Sequence, residues 1–148
     1  MNIEFTNLAG QDCDELQLRD LASFTLGKLG IHPDSELSIS LVDEDEMSTL
    51  HMQWMNEDGP TDVLSFPMDE MRPNSSSDGP GLLGDIVLCP AFAIAQASQA
   101  GHSLQNELEL LTVHGILHLL GFDHRDGQEE REMFGLQEKY LKEWRASV

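Results

Sequence analysis

Three of the six histidines in this 148-residue chain fall within one short run, His114-Gly-Ile-Leu-His118-Leu-Leu-Gly121-Phe-Asp-His124. His114 and His118 are separated by one helical turn, so on a helix both imidazoles leave the same face. Gly121 can end that helix and let the chain bring His124 back toward the pair. The run therefore predicts a metal centre with His114, His118 and His124 as ligands.

Zinc is the ion that this ligand set favours, at one ion per chain, although imidazole also binds copper, nickel and iron. Three histidines leave one coordination position open, which is typical of catalytic zinc, whereas structural zinc usually closes that position with a protein ligand. The alternative is a pair of core histidines, and burying both costs free energy unless each ring nitrogen finds a partner. His32, His51 and His102 lack this spacing and are expected on the surface or in loops.

The spacing H-x-x-x-H-x-x-G-x-x-H also occurs in the metzincin metalloproteases, which carry a glutamate general base after the first histidine. Gly115 takes that position here. It offers no carboxylate, and a glycine inside a helix costs about 1 kcal/mol relative to alanine. A peptidase would therefore need a substitute base. The glycine indicates either close packing of the helix or space beside the metal for a bulky substrate, and the two interpretations are compatible.

The helix that carries the first two histidines is predicted to begin after Ser103, which is a good N-cap. From Leu108 to Leu120 it is apolar nearly all round, which indicates a helix buried in the centre of the fold. Periodicity and capping residues give the remaining elements. Strands are predicted at 2–6, 36–42, 62–66 and 85–88, and further helices at about 14–29, from the cap Asp43 to 55, at 90–100 and at 128–144.

This order of elements predicts an α+β protein in which helices cover a small mixed sheet and a buried central helix carries two metal ligands. The chain has no internal repeat and no linker, so residues 1–148 are expected to form a single domain. Residues 72–81 are rich in Pro, Gly and Ser and poor in apolar side chains. We expect a weakly ordered surface loop there.

The charge is strongly acidic, with 8 Lys and Arg against 27 Asp and Glu and a formal net charge of -19. Taken alone, this argues against a nucleic-acid partner, because phosphate binding usually needs a basic surface. The positive charges cluster late in the chain. They can form a patch near the metal, or they can be ordinary solvated positions on the last helix. Five of them lie from the third histidine onward: Arg125, Arg131, Lys139, Lys142 and Arg145.

Targeting signals and a membrane-spanning stretch are not recognisable in the sequence. The two cysteines, Cys13 and Cys89, are too few for a disulfide framework and do not form a C-x-x-C pair. Two reduced thiols in or near the core are the favoured interpretation. Together these features predict a cytoplasmic protein.

Three segments resemble the YbeY family of bacterial endoribonucleases, also called rRNA maturation factors. Residues 114–124 match the family motif H-G-x-L-H-L-x-G-x-D-H throughout. Residues 60–67, Pro-Thr-Asp-Val-Leu-Ser-Phe-Pro, are similar to its T-D-V-L-S-F-P segment, and residues 83–86 are similar to its L-G-D-I strand. The order and spacing of the three fit, and the resemblance covers most of the chain.

The resemblance implies a zincin-like α+β fold and a zinc-dependent nuclease that cuts single-stranded RNA. It implies roles in small-subunit rRNA maturation and ribosome quality control, with the small ribosomal subunit and assembly factors as partners. The family's metal ligands carry over to His114, His118 and His124. The catalytic residues beyond these ligands stay open.

One departure from the family concerns a Tyr-Arg pair that precedes the P-T-D-V segment in many members and whose arginine is regarded as functionally important. This chain has Trp54-Met55 there. Met55 cannot donate a hydrogen bond to phosphate. Either another cation serves here, with Arg72 and Arg125 as candidates, or the phosphate chemistry is weaker.

Five further residues lie near the motifs and have alternative roles. Asp62, Asp85 and Asp123 can orient a histidine or act as a base, or they can serve as strand caps and turn residues. Trp54 and Phe66 can stack on bases, although core packing is the more common role of such residues.

Three functions are therefore compared. The leading hypothesis is a metal-dependent endoribonuclease in rRNA processing. The alternatives are a hydrolase on another substrate, including a peptidase with a substitute base, and a non-catalytic ribosome-assembly factor with structural zinc. The acidic charge and Met55 favour the assembly factor, whereas the open coordination position and Gly115 favour catalysis on a bulky substrate.

Overall fold

The computed structural model describes residues 1–147, in which one sheet and five α-helices contain every predicted element in the predicted order. A 3-10 turn, Ser76–Asp78, is the only addition within those residues. The α+β prediction is thus confirmed. The elements are β1 (Asn2–Asn7), α1 (Glu15–Lys28), β2 (Glu36–Leu41), α2 (Glu44–Met55), β3 (Val63–Pro67), β4 (Leu82–Leu88), α3 (Pro90–Ala100), α4 (Leu104–Leu119) and α5 (Gly127–Ser147).

The sheet is mixed, in the order β1-β2-β4-β3, with β3 at one edge and antiparallel to β4 while the other pairs are parallel. β4 begins at Leu82, three residues before the predicted start, and the reason is Gly84. The register of the β2–β4 pairing shifts next to Gly84, and the φ angle of Gly84 is +135°. A Cβ at Gly84 would lie 2.1 Å from the carbonyl oxygen of Phe66. Gly84 therefore marks a bulge and a close approach of two strands. In the sequence, the same glycine suggests the end of a strand.

Helix α4 lies at the centre of the molecule, as predicted. It packs against β3, β4 and the helices α1, α3 and α5. Its apolar side chains are buried except for Leu104 and Leu110, which are partly buried. The Ser103 hydroxyl accepts a hydrogen bond from the Asn106 N–H at 3.1 Å and caps the first turn. Within residues 1–147, no helix combines the length and the apolar character needed to cross a bilayer.

The predicted loop between β3 and β4 packs over the end of α1. The Asn74 N–H donates to the Leu29 carbonyl at 2.7 Å, and a Cβ at Gly30 would lie 2.7 Å from Asn74 Oδ1. The Leu82 N–H donates to Asp69 Oδ2 at 2.7 Å, which ties the two ends of the loop together. The weak order expected at residues 72–81 stays a prediction.

Gly115 brings α4 into near contact with the sheet. A Cβ at this position would lie 2.9 Å from Cγ2 of the fully buried Ile86 on β4. The Ser65 hydroxyl of β3 donates to the Gly115 carbonyl at 3.1 Å. The absent side chain thus faces the sheet, which supports the close-packing interpretation of this glycine over the idea of space beside a metal.

We predict that Gly115→Ala destabilises the protein by about 1–2 kcal/mol. Overpacking typically costs about 1–3 kcal/mol, and the gain in helix propensity offsets about 1 kcal/mol of this. Urea denaturation of the metal-free protein measures the change.

Gly135→Ala is the matched control, because Gly135 lies in α5 and a Cβ there meets no heavy atom within 4 Å. We expect this control to be neutral or stabilising by up to about 1 kcal/mol. Equal stabilisation by both variants would contradict the packing role of Gly115.

Candidate metal centre

The three predicted ligands converge, and one ring nitrogen of each lies within 4.8 Å of the others. His114 and His118 leave the same face of α4 with their Nε2 atoms 3.1 Å apart. A tetrahedral zinc ion with ordinary bond lengths would hold two nitrogen ligands about 3.3 Å apart. The His124 ring lies 5.4 Å from that of His118, between centroids. The spacing and the donor chemistry of the cluster therefore fit one zinc ion.

The turn after α4 brings the third histidine to the other two. Gly121 has a φ of +93°, a left-handed conformation that favours glycine, and the Phe122 N–H then donates to the Leu117 carbonyl at 3.0 Å. Asp123 Oδ1 accepts the His124 N–H at 2.7 Å, and its Oδ2 lies 2.9 Å from Arg125 Nε. Asp123 thus has the turn role that the sequence suggested as one of two alternatives.

Burial keeps the helical imidazoles neutral. Burial, with smaller contributions from the charges of His114 and His124, lowers the pKa of His118 to about 4. Burial also lowers the pKa of His114, against the opposing effect of its hydrogen bond to Gln137. A metal ion binds the neutral imidazole, so these two rings are in the binding form at neutral pH without losing a proton.

Helix α5 supplies two contacts to the cluster that sequence reasoning missed. Gln137 Oε1 lies 2.9 Å from His114 Nδ1, and the Gln137 side chain is only 9% exposed. The Phe134 ring lies 6.1 Å from the rings of both His114 and His124, at interplanar angles of 28° and 21°. The available signal was a polar residue on the buried face of α5, whose other members are Met133, Tyr140, Leu141 and Trp144.

The cluster opens into a cleft of about 370 Å³. One wall is formed by residues 61–65, at the start of the edge strand β3, and Met55 at the end of α2 completes it. Met55 is 45% exposed, so this position is accessible to a molecule that enters the cleft. The arrangement leaves one side of the cluster open to a substrate.

The two remaining aspartates are placed differently. Asp62 lines the cleft, but its Oδ1 accepts the Val63 N–H at 2.8 Å and the Thr61 hydroxyl at 3.2 Å, which supports the strand-cap interpretation. Asp85 lines a separate cleft with Glu4 and does not contact the histidines. Strand alternation explains this, because its neighbour in β4 packs toward α4. Asp85 therefore does not orient a histidine, which was one of the two alternative roles that the sequence suggested for it.

The two candidate cations have different surroundings. Arg72 lines a smaller cleft of about 180 Å³ that also includes His118, and it has no ion-pair partner within residues 1–147. Arg125 is engaged by Asp123. The basic residues of α5 are exposed, and Arg145 pairs with buried Glu109 at 3.0 Å, which supports ordinary solvated positions on that helix.

The aromatic pair next to Met55 is partly outside the core. Trp54 is 60% exposed, and its ring meets Phe66 edge to face at 5.9 Å between centroids. Phe66 packs against a small apolar cluster that includes Leu64 and Met47. The core-packing interpretation is therefore wrong for Trp54 and is confirmed in part for Phe66.

The other histidines lie outside the cluster. His32 and His102 occupy turns, as expected. His51 lies in α2 with a side chain that is only 12% exposed, so a surface or loop position is wrong for it. Its ring lies 2.9 Å from the Gly59 carbonyl and 2.9 Å from a Glu57 carboxylate oxygen. His51 therefore folds the segment after α2 back toward the helix.

Comparison with known proteins gives a consistent result. The profile of the family described as Endoribonuclease YbeY matches residues 5–145. Proteins named Endoribonuclease YbeY from Acidothermus cellulolyticus and Thermobifida fusca are 59% and 54% identical, over 99% and 100% of this chain and 93% and 97% of their own length. The one from Nocardia farcinica is 56% identical over 100% of this chain and 83% of its own length.

The fold is also similar to a solved structure. The solution structure of TM1509 from Thermotoga maritima matches with a TM-score of 0.63 and 32% identity, over 98% of this chain and 93% of that one. The family profile, the relatives and the three-histidine cluster agree with the resemblance seen in the sequence motifs. The chain belongs to the YbeY family of endoribonucleases.

Proposed function

We propose that this chain is a single-domain, zinc-dependent endoribonuclease of residues 1–148 that cuts single-stranded RNA during maturation of small-subunit rRNA. His114, His118 and His124 hold one zinc ion. The observation that carries the proposal is the convergence of three imidazoles on a point that stays open to a cleft. Membership of the family supports the reaction class.

The chemistry follows from the ligand set. Zinc in such a site supplies a Lewis acid for a phosphodiester and acidifies a water to a pKa of about 7. Imidazole ligands add no negative charge to the ion, and the side chain that contacts His114, Gln137, is also neutral. The ligand set therefore leaves the positive charge of the ion available to an anionic substrate, although the Asp62 side chain also lines the cleft and its charge acts on His114.

The depth of the site supports a single-stranded substrate. His114 and His118 are half-buried at the bottom of a cleft whose wall is the start of β3. A phosphodiester has to enter this cleft to reach them. An unpaired strand can bend its backbone and splay its bases to do so, whereas the backbone of a duplex is constrained by pairing and stacking.

The acidic surface affects which form of RNA can bind. A net charge of -19 repels free RNA, so long-range attraction contributes little to binding. An rRNA strand that the small ribosomal subunit and its assembly factors already hold in place meets less of this cost, because the particle fixes it next to the cleft. We therefore include the small subunit among the partners and place the protein in the cytoplasm, with roles in rRNA maturation and ribosome quality control.

The first test combines metal content with RNA cleavage. The purified protein is expected to contain one zinc per chain, to cut single-stranded RNA and to stop cutting when zinc is chelated. His118→Ala should lose both zinc and at least about 100-fold of the cleavage rate, because two ligands hold the ion poorly. Elemental analysis and a cleavage gel measure these outcomes.

His32→Ala is the matched control, since it removes a histidine from a turn outside the cluster. It should keep zinc and activity. A zinc-loaded protein that binds ribosomal subunits and never cuts RNA would replace the proposal with the assembly factor, and digestion of casein would favour the peptidase. Cutting that persists in His118→Ala would indicate a contaminating nuclease.

Met55→Arg tests the missing cation in the cleft wall. The guanidinium can contact a phosphate near the histidines, so we predict tighter binding of single-stranded RNA and a salt slope of log K steeper by about 0.7. Binding is measured by fluorescence anisotropy across a range of salt concentrations.

Leu16→Arg is its control, because Leu16 is 76% exposed on α1 and lines a different cleft, and the charge change is the same. We expect little change from it. Equal gains in RNA affinity from both variants would show that only net charge matters.

Arg72→Ala separates the two candidate cations. Arg72 has no ion-pair partner within residues 1–147 and lines the same small cleft as His118, so its loss should weaken RNA binding and flatten the salt slope by about 0.7. Arg125→Ala, which removes a cation already engaged by Asp123, should change the slope less. The same binding assay measures both, and the reverse ranking would contradict the assignment.

A further inference from the structure

One side chain outside the three-histidine motif contacts a ring nitrogen of the proposed metal site. Gln137 Oε1 on α5 lies 2.9 Å from His114 Nδ1, and the two residues are 23 positions apart in the chain. The Gln137 side chain is buried, so water does not compete well for this contact.

The direction of the hydrogen bond determines the tautomer of His114. A carboxamide oxygen can only accept, so the proton must be on His114 Nδ1. A neutral imidazole carries one proton, and its other nitrogen then presents a lone pair. That nitrogen, Nε2, is the one that faces His118 Nε2 at 3.1 Å. The contact with Gln137 therefore leaves the lone pair of His114 directed at the centre of the cluster.

His118 does not depend on a side chain in this way. Within residues 1–147, its ring has no side-chain hydrogen-bond partner apart from His114. For His114 the partner is a side chain, so a single substitution can remove it.

The position of Gln137 on α5 is also constrained by packing. Its neighbours on the buried face of α5 are apolar, and a polar side chain among them costs free energy unless it is hydrogen-bonded. Phe134, one turn earlier, lies over the rings of His114 and His124. Helix α5 thus packs beside the rings of His114 and His124.

We propose that Gln137 is a positioning residue for the metal site, which selects the His114 tautomer with a free Nε2 and fixes the orientation of that ring. The inference rests on the proposed zinc function. It adds a residue from a different helix to the three ligands, and it assigns to that residue a defined effect on metal affinity. Removing the hydrogen-bond acceptor behind a metal-ligating histidine typically weakens metal binding by about 10- to 100-fold.

The experiment compares Gln137→Met with Gln137→Glu in the full chain. Methionine keeps the length and flexibility of the side chain and removes the acceptor, whereas glutamate keeps an oxygen at the same place. Zinc affinity is measured by competition with a chromophoric chelator, and the melting temperature of each metal-free protein is measured alongside. We expect zinc binding about 10- to 100-fold weaker in Gln137→Met, restored in Gln137→Glu, with similar melting temperatures for the metal-free proteins.

Two results would overturn the proposal. Gln137→Met could bind zinc as tightly as the unmodified protein, or both variants could be weakened equally, which would indicate a packing role only. Should Gln137→Met fail to fold, long-range ¹H–¹⁵N spectra of the unmodified metal-free protein decide. A proton on His114 Nδ1 supports the proposal, and a proton on Nε2 overturns it. An unmodified protein that binds no zinc, or binds zinc and cuts no RNA, counts against the proposed function instead.

Discussion

The contact between α4 and the sheet determines where the metal site lies. A helix buried on nearly all sides must be apolar, yet α4 carries two imidazoles that need polar partners. Gly115 lets the α4 backbone rest directly on Ile86, and Ser65 Oγ donates to the Gly115 carbonyl. The short distance between α4 and the sheet therefore determines how close the rings of His114 and His118 lie to the β3 wall of the cleft. A helix held farther from the sheet would move both rings away from that wall.

The ligands and their support come from different ranges of the sequence, and this explains which of them could be predicted. His114, His118 and His124 are brought together by one helical period and one glycine turn, so local rules suffice. Gln137 and Phe134 reach the same rings only because α5 packs back onto α4. The periodicity of α5 shows that Gln137 faces the core, but it does not show which ring lies opposite.

The fold shows a similar division between local and long-range information. Asp43, Pro90 and Ser103 each define a helix start through their own chemistry, and the structure begins the helices at the next residue or at the proline itself. The start of β4 was missed because Gly84 serves a contact with another strand. The burial of His51 was missed because it arises from the segment after α2, which folds back to it through Gly59.

Charge gives the proposed nuclease a selectivity that does not depend on reading bases. Surface charges act over about 8 Å at physiological ionic strength, so an acidic protein repels free RNA as it approaches. Inside the cleft the balance differs, because the three imidazoles and Gln137 carry no negative charge and Asp62 is the one acidic side chain among the residues that line the cleft. A strand must therefore be brought to the cleft before attraction at the metal can act. Within the proposed function, this favours RNA that a ribosomal particle presents over RNA that diffuses freely.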